Sequence, residues 1–127
     1  MKSSLDCIVT IDSAGLIKEF NPAAEQTFGY TRDEALGQQM ASLIVPPSLR
    51  AAHEQGLKHY LASGEGPVLN TRIEITAIRS NGQEFPVELA ITPFRLGGKA
   101  EFTAFIRDIT EAKKAEATLR ETERQLR

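Results

Sequence analysis

The residues best suited to chemistry in this sequence are two histidines, His53 and His59, and a single cysteine, Cys7. His53 lies on the apolar side of a helical pattern, one turn before Gly56, whereas His59 is rotated about 120° away from it. A neutral imidazole that faces a pocket can ligate haem iron, and a glycine one turn later would let a flat ring system approach the helix. The alternative is a core histidine that donates to a backbone carbonyl.

The sequence contains no recognisable catalytic arrangement. No serine stands in a triad context, and no glycine-rich phosphate loop occurs. Glu84 and Glu88 share one face of a predicted strand and are interpreted as solvated charges. A single cysteine excludes an internal disulfide and a cysteine-based metal cluster, and it fits a reducing compartment. We therefore expect a cytoplasmic chain that is not itself an enzyme.

Composition limits the partners of the chain. Its 127 residues are 41% hydrophobic and 25% charged, which is enough apolar material for one core. Fifteen basic and seventeen acidic residues give a net charge of −2, so no basic surface for nucleic acid is expected. The longest apolar runs fall far short of the roughly 20 residues that a membrane span requires. Neither nucleic acid nor direct membrane contact is predicted.

Alternation of apolar and polar residues predicts five strands. They cover residues 6–12, 16–20, 69–77, 84–92 and 101–107. Asn81-Gly82 marks a hairpin turn, because both residues tolerate a positive φ. The last three strands are predicted to turn alternate residues toward the interior. These are Leu69, Ile73, Ile75 and Ala77; Phe85, Val87, Leu89 and Ile91; and Phe102, Ala104 and Ile106.

Short helices are predicted between the second and third strands. Asn21 provides an N-cap for a helix that ends at Gly29, and Thr31 with Glu34 forms a capping box for a helix that runs to residue 37. A longer helix follows a pair of prolines and continues to about residue 62. The order of elements indicates an α+β fold, in which short helices cover one face of a five-stranded antiparallel sheet.

The chain is predicted to consist of one domain over residues 1–108 and a C-terminal helix over residues 109–127. Apolar or small residues recur at alternating steps of three and four, the spacing of a coiled-coil seam. They are Ala112, Ala115, Leu119, Thr122 and Leu126. The alternative is a terminal helix packed on its own domain. Asp108 and Thr110 stand at the junction of strand and helix, where a capping bond would fix the helix direction.

The motifs resemble those of PAS domains of the prokaryotic sensor type over essentially the whole chain. The matching segments are residues 11–15, 20–24, 28–30, 34–37, 81–88 and 107–111. This resemblance implies a pocket on the inner face of the sheet and a C-terminal helix that couples to an output domain, such as a histidine kinase. The seam spacing and the capping position agree with this and predict a homodimer formed through the PAS domain and this helix. The residues predicted to transmit the signal are Asp108, Thr110, Ala112, Leu119 and Leu126.

Residues 50–65 further resemble the corresponding helix of haem-PAS oxygen-sensor kinases of the FixL type, with His53 at the position of the axial ligand. Two positions depart from that pattern. His59 replaces an arginine that contacts a haem propionate, and Ile73 replaces the arginine that bonds oxygen. Arg72 is adjacent, but the strand alternation places it on the outer face. Flavin photosensors carry a reactive cysteine on a central helix, whereas Cys7 lies in the first strand, so a flavin–cysteinyl adduct is not expected.

These observations predict a sensory module that binds a small ligand or cofactor in its core. The expected binding residues are His53, Leu57, His59, Leu69, Ile73, Leu89, Ile91, Phe102 and Ala104, with His53 as the metal ligand if haem is bound. Two alternatives remain open at this point. One is a haem-based gas or redox sensor with His53 as axial ligand, and the other is a ligandless dimerisation module.

Overall fold

A computed structural model describes residues 6–63 and 72–125 of the chain. It contains five strands: β1 (Cys7–Asp12), β2 (Ile17–Phe20), β3 (Arg72–Ile78), β4 (Glu84–Leu96) and β5 (Lys99–Asp108). They form one antiparallel sheet in the order β2-β1-β5-β4-β3. The predicted five-stranded α+β fold is confirmed. The predictions for Leu69 and Leu126 lie outside the described residues.

The helices fall into two groups. Four connect β2 to β3, and one follows β5. They are α1 (Pro22–Phe28), α2 (Arg32–Ala35), α3 (Met40–Ile44), α4 (Arg50–Ser63) and α5 (Thr110–Gln125), with a 3-10 turn at Pro47–Leu49 before α4. Helix α5 leaves the end of β5 directly, so the central strand of the sheet continues into the C-terminal helix.

Helix α1 has the boundaries that the sequence predicts. The Asn21 side-chain oxygen accepts from the amides of Ala24 (3.0 Å) and Ile8 (2.9 Å), so one side chain caps the helix and joins it to β1. Gly29 ends the helix with φ of 85°, a left-handed conformation that suits glycine. A Cβ atom at this position would also collide with the Ser80 hydroxyl. The start and end of α1 are therefore fixed by particular side chains.

Helices α2 and α3 differ from the sequence-based prediction. The capping box of Thr31 and Glu34 is present, but α2 ends at Ala35 because Leu36 adopts an extended ψ of 133°. The prediction that this helix reaches residue 37 is wrong by two residues. Helix α3 was not predicted, since it spans five residues and Gln39 before it makes no capping bond through its side chain. Short uncapped helices carry little sequence signal.

The core lies between the inner face of the sheet and the helices. Its largest fully buried side chains include those of Val9, Ile17, Phe20 and Phe28. The inward positions predicted for β4 and β5 include Phe85, Val87, Phe102 and Ile106, and all four are buried. The alternation fails at Glu101, which is buried as well. Both strands extend beyond the predicted ranges, to Leu96 and back to Lys99, in a hairpin that carries the exposed side chains of Phe94 and Leu96.

Candidate functional site

A cavity of about 390 Å³ lies between the inner face of the sheet and the helices that cover it. This volume is within the range of small-molecule sites in proteins, about 300–1,000 Å³. The sheet contributes apolar side chains from β3, β4 and β5, which are Ile73, Leu89, Ile91, Phe102, Ala104 and Ile106. Phe28, Met40 and Ile44 close the cavity from α1 and α3.

Helix α4 forms the opposite wall of the cavity. His53, Leu57 and Tyr60 line it and are half-buried, and the Tyr60 ring meets Phe102 edge-on with centroids 5.1 Å apart. All of α4 lies within the described part of the chain, and none of its residues is fully buried. A Cβ atom at Gly56 would meet no atom within 4 Å, so close helix–sheet packing does not explain this glycine. Its place on the wall leaves open space beside His53.

His53 places an imidazole on the cavity wall. Burial lowers the pKa of His53 below its ordinary value, and the nearby Glu54 carboxylate opposes this shift without cancelling it. The imidazole is therefore neutral near pH 7. A neutral imidazole offers one donor and one acceptor nitrogen, and the acceptor can take a hydrogen bond or ligate a metal.

The junction between β5 and α5 is held by one carboxylate. The Asp108 Oδ1 atom accepts from the Thr110 amide (2.9 Å) and hydroxyl (2.6 Å), and Oδ2 accepts from Arg79 (2.9 Å). Burial alone would raise the pKa of Asp108, but the bonds from Thr110 and Arg79 outweigh it and hold this pKa below its usual value. The charged form of Asp108 is thus tied to the first residue of α5.

The sequence model of the PAS domain family matches residues 5–111, which include the whole sheet and the covering helices. The chain is a PAS domain. It resembles sensor protein FixL of Bradyrhizobium diazoefficiens at 32% identity over 95% of the chain, and an uncharacterised protein of Azorhizobium caulinodans at 40% over 87%. The chain spans 24% and 15% of the length of these two proteins. A solved PAS domain from Colwellia psychrerythraea has the same fold, with a TM-score of 0.68, 23% identity, and coverage of 84% of this chain and 87% of that one.

The structure of this PAS domain brings most of the predicted binding residues together. His53 and Leu57 on α4 face five residues of the sheet across the cavity: Ile73, Leu89, Ile91, Phe102 and Ala104. Arg72 points to the outer face, where its guanidinium lies 3.1 Å from Glu88. The predicted orientation of Arg72 is therefore confirmed, and Ile73 occupies the inner position beside it.

One predicted binding residue lies outside the cavity. His59 is exposed and does not line the cavity, because it lies six residues from His53 and faces another side of α4. Thr76 of β3 borders the cavity and is exposed. Strand β3 is paired only with β4, so the cavity wall ends at this sheet edge.

Sequence reasoning missed Phe28, Tyr60 and Arg79 as site residues. Phe28 and Tyr60 belong to apolar helical stripes, and such stripes do not distinguish a filled core from a cavity wall. Arg79 precedes a hairpin turn and gives no motif of its own. The antiparallel register of β3, β4 and β5 brings this turn near Asp108, and a topology prediction combined with charge pairing would have been needed to find the contact.

Helix α5 is exposed along its length after the junction. All side chains from Glu111 to Arg124 are exposed, including the seam residues Ala112 and Leu119, and Leu119 is 60% exposed. The helix is supported by charge pairs, of which the Arg120–Glu116 pair measures 3.6 Å. Lys113 joins the helix to β3 through Glu74 at 2.7 Å.

The described residues offer few polar groups for binding a ligand or a metal. Within residues 6–63 and 72–125, no group of three or more His, Cys, Asp or Glu side chains could hold a metal ion. No helix in these two ranges has the length and apolar character needed to cross a membrane. In the described lining, the side chains with hydrogen-bonding groups are those of His53, Tyr60 and Thr76, and none is Lys or Arg.

Acidification should destabilise the folded domain, because His53 is partly buried in its neutral form. Because the pKa of His53 is lowered in the folded state, the unfolded chain binds the proton at a higher pH than the folded chain does. Protonation therefore favours unfolding. The full stability is present above the unfolded pKa of about 6.5 and is lost as pH falls below it. We expect the free energy of unfolding to fall between about pH 7.5 and 5.5, and this slope to shrink in His53→Gln. Urea titrations at several pH values measure it. An unchanged slope in His53→Gln would contradict the assignment.

Proposed function

We propose that this PAS domain is the sensory input module of a longer cytoplasmic signalling protein, in which it binds a small, largely apolar molecule. Strand β5 carries the main argument. Its residues Phe102, Ala104 and Ile106 form part of the cavity wall, and two residues after Ile106 the same strand reaches Asp108 and then α5. A ligand that presses on this wall can shift the direction of the helix. The output domain, such as a histidine kinase, would follow in the parent chain and carry any catalytic activity.

The lining defines the chemistry of the proposed ligand. Apolar side chains from both walls would bury a hydrocarbon or aromatic body, at about 25 cal/mol per Å² of apolar surface removed from water. Neutral His53 and the Tyr60 hydroxyl can each satisfy one polar group. A strongly anionic ligand would lack a cationic partner in the described lining, so an uncharged or weakly polar molecule fits best.

The exposure of helix α5 is an argument that it pairs with the same helix of a second copy. A helix of 16 residues is marginal in water without tertiary contacts. Seam spacing of Ala112 and Leu119, together with exposure of both, is typical of a coiled coil. We propose a homodimer in which paired α5 helices pass the state of both cavities to the output domains.

Haem is the second candidate ligand, and His53 is the observation that favours it. The neutral imidazole on the cavity wall and the open space at Gly56 fit an axial ligand beside a flat ring. Bound haem would supply an iron centre for a diatomic gas or a redox change. Ile73 stands where haem-PAS oxygen sensors have an oxygen-bonding arginine, so the distal side would be apolar. The propionates would have no Lys or Arg partner in the described lining.

The absorption spectrum of freshly purified protein separates the candidates. A Soret band that survives desalting and disappears in His53→Ala would identify haem with His53 as its ligand. We expect instead saturable binding of N-phenyl-1-naphthylamine, an uncharged fluorescent probe of apolar cavities, with one site per chain. A featureless spectrum, no ligand in heat-denatured extracts and no probe binding would contradict the sensory role and leave a ligandless dimerisation module.

A further inference from the structure

The guanidinium of Arg79 joins parts of the domain that are far apart in sequence. Its nitrogens donate to the Thr27 carbonyl at the end of α1 (2.6 Å), to the Gln83 side chain (3.0 Å) and to Asp108 (2.9 Å). Its central carbon also lies 3.7 Å from the centre of the Phe85 ring. The side chain is 21% exposed. A planar guanidinium presents five donors from three nitrogens in a fixed fork, so it reaches acceptors on several sides, whereas the three donors of an ammonium group leave a single nitrogen.

One end of this network belongs to the cavity wall. Thr27 immediately precedes Phe28, which is fully buried and lines the cavity. The Phe28 ring packs against Phe85 with centroids 5.8 Å apart, and the Phe28 carbonyl accepts from the Ser80 amide at 2.7 Å. Arg79 and its neighbour Ser80 therefore grip the last turn of α1 at two consecutive carbonyls. Any shift of Phe28 changes the position of the acceptor that Arg79 holds.

The other end of the network holds the first turn of helix α5. Asp108 uses one oxygen for Arg79 and the other for the amide and hydroxyl of Thr110. Between these two residues, the Ile109 amide donates to the Pro86 carbonyl of β4 at 3.1 Å. The position of the Asp108 carboxylate thus determines how the first turn of α5 is held. Both of its oxygens are engaged, so Arg79 and Thr110 are linked through one carboxylate.

We propose that Arg79 is a positioning residue that couples the cavity wall at Phe28 to the first turn of α5. This second route runs beside β5 and passes through α1, Arg79 and Asp108. It rests on the proposed role of the cavity as the input site. Coupling of this kind is a free energy shared by two sites, and a double-mutant cycle measures it directly.

Amide hydrogen exchange on the 127-residue chain tests the proposal at the helix. In Arg79→Gln, we expect the amides of Thr110 and Lys113 to exchange about tenfold faster, the loss expected for one charged hydrogen bond. Arg79→Lys should recover part of the protection, since it keeps the charge without the fork of donors. The matched control is Arg72→Gln, which removes an arginine paired to Glu88 on the outer face and should leave α5 unchanged. Unchanged Thr110 exchange in Arg79→Gln, or an equal increase at core amides of β1, would overturn the proposal.

A cavity substitution tests the coupling itself. Phe28→Leu should speed exchange at Thr110 by about threefold in the wild type, and by less when combined with Arg79→Gln, because the connection is already lost. Purely multiplicative effects of the two changes would overturn the proposal. No ligand is added in this cycle. Failure of N-phenyl-1-naphthylamine to bind would therefore count against the proposed function alone.

Discussion

Replacing Phe28 with alanine is expected to lower the free energy of unfolding by about 3–5 kcal/mol. Phe28 is completely buried, and its ring contacts Phe20 and Phe85 at centroid distances of 6.4 and 5.8 Å. The truncation would enlarge the existing cavity and remove the packing between α1 and the sheet. Domains of this kind have a total stability of about 5–15 kcal/mol, so the variant would lose a large share. Urea denaturation followed by circular dichroism measures the change.

The matched control for this change is Phe105→Ala. Phe105 lies on the outer face of β5, between Ile8 and Ala90, and is 40% exposed. Its truncation should cost less than about 1 kcal/mol in dilute protein, where association does not contribute. Comparable losses in both variants would mean that the core is not centred on the inner face. The pair thus separates burial from the mere presence of a phenylalanine in the domain.

Filling the cavity should abolish ligand binding without unfolding the domain. Ala104 lines the cavity from the middle of β5, and a phenylalanine there would occupy the space between the sheet and α4. For Ala104→Phe, we expect binding of N-phenyl-1-naphthylamine to weaken at least about 100-fold, which corresponds to about 2.8 kcal/mol. A fluorescence titration measures this effect.

The control is Thr92→Phe, at an exposed outer-face position one residue beyond the cavity-lining Ile91. It adds a ring of similar size to the same sheet and should leave the probe affinity within about twofold. Thermal denaturation of both variants checks that they remain folded. Wild-type affinity in folded Ala104→Phe would show that the probe binds elsewhere.

Local signals in the sequence predict the sheet and its inner face well. Strand alternation depends on side chains that must be buried, so the period of two alone is enough to assign Phe85, Val87, Phe102 and Ile106 to the core. Asn21 and Thr31 mark helix starts because their side chains bond to nearby amides. In each case the cause of the structure lies within a few residues of the signal.

The features that were missed depend on contacts between distant segments. Helix α3 has no capping side chain to announce it, and its formation depends on burial of Ala41 and Ile44. The contacts of Arg79 span 52 residues to Thr27 and 29 to Asp108, which no local pattern encodes. The volume of the cavity is the volume between the sheet and the helices minus the volume of the side chains that fill it. Apolar patterns predict the wall but give no measure of the space enclosed.

The absence of any fully buried residue in the wholly described helix α4 has a consequence for how such domains diversify. The core centred on Phe20 and Phe28 maintains the fold, whereas His53, Leu57 and Tyr60 contact the cavity from a separate, half-buried helix. Substitutions on that helix can therefore change ligand preference at little cost to stability. Under the proposed function, changes in this one helix would alter which ligand is bound while the sheet and the junction at Asp108 stay the same.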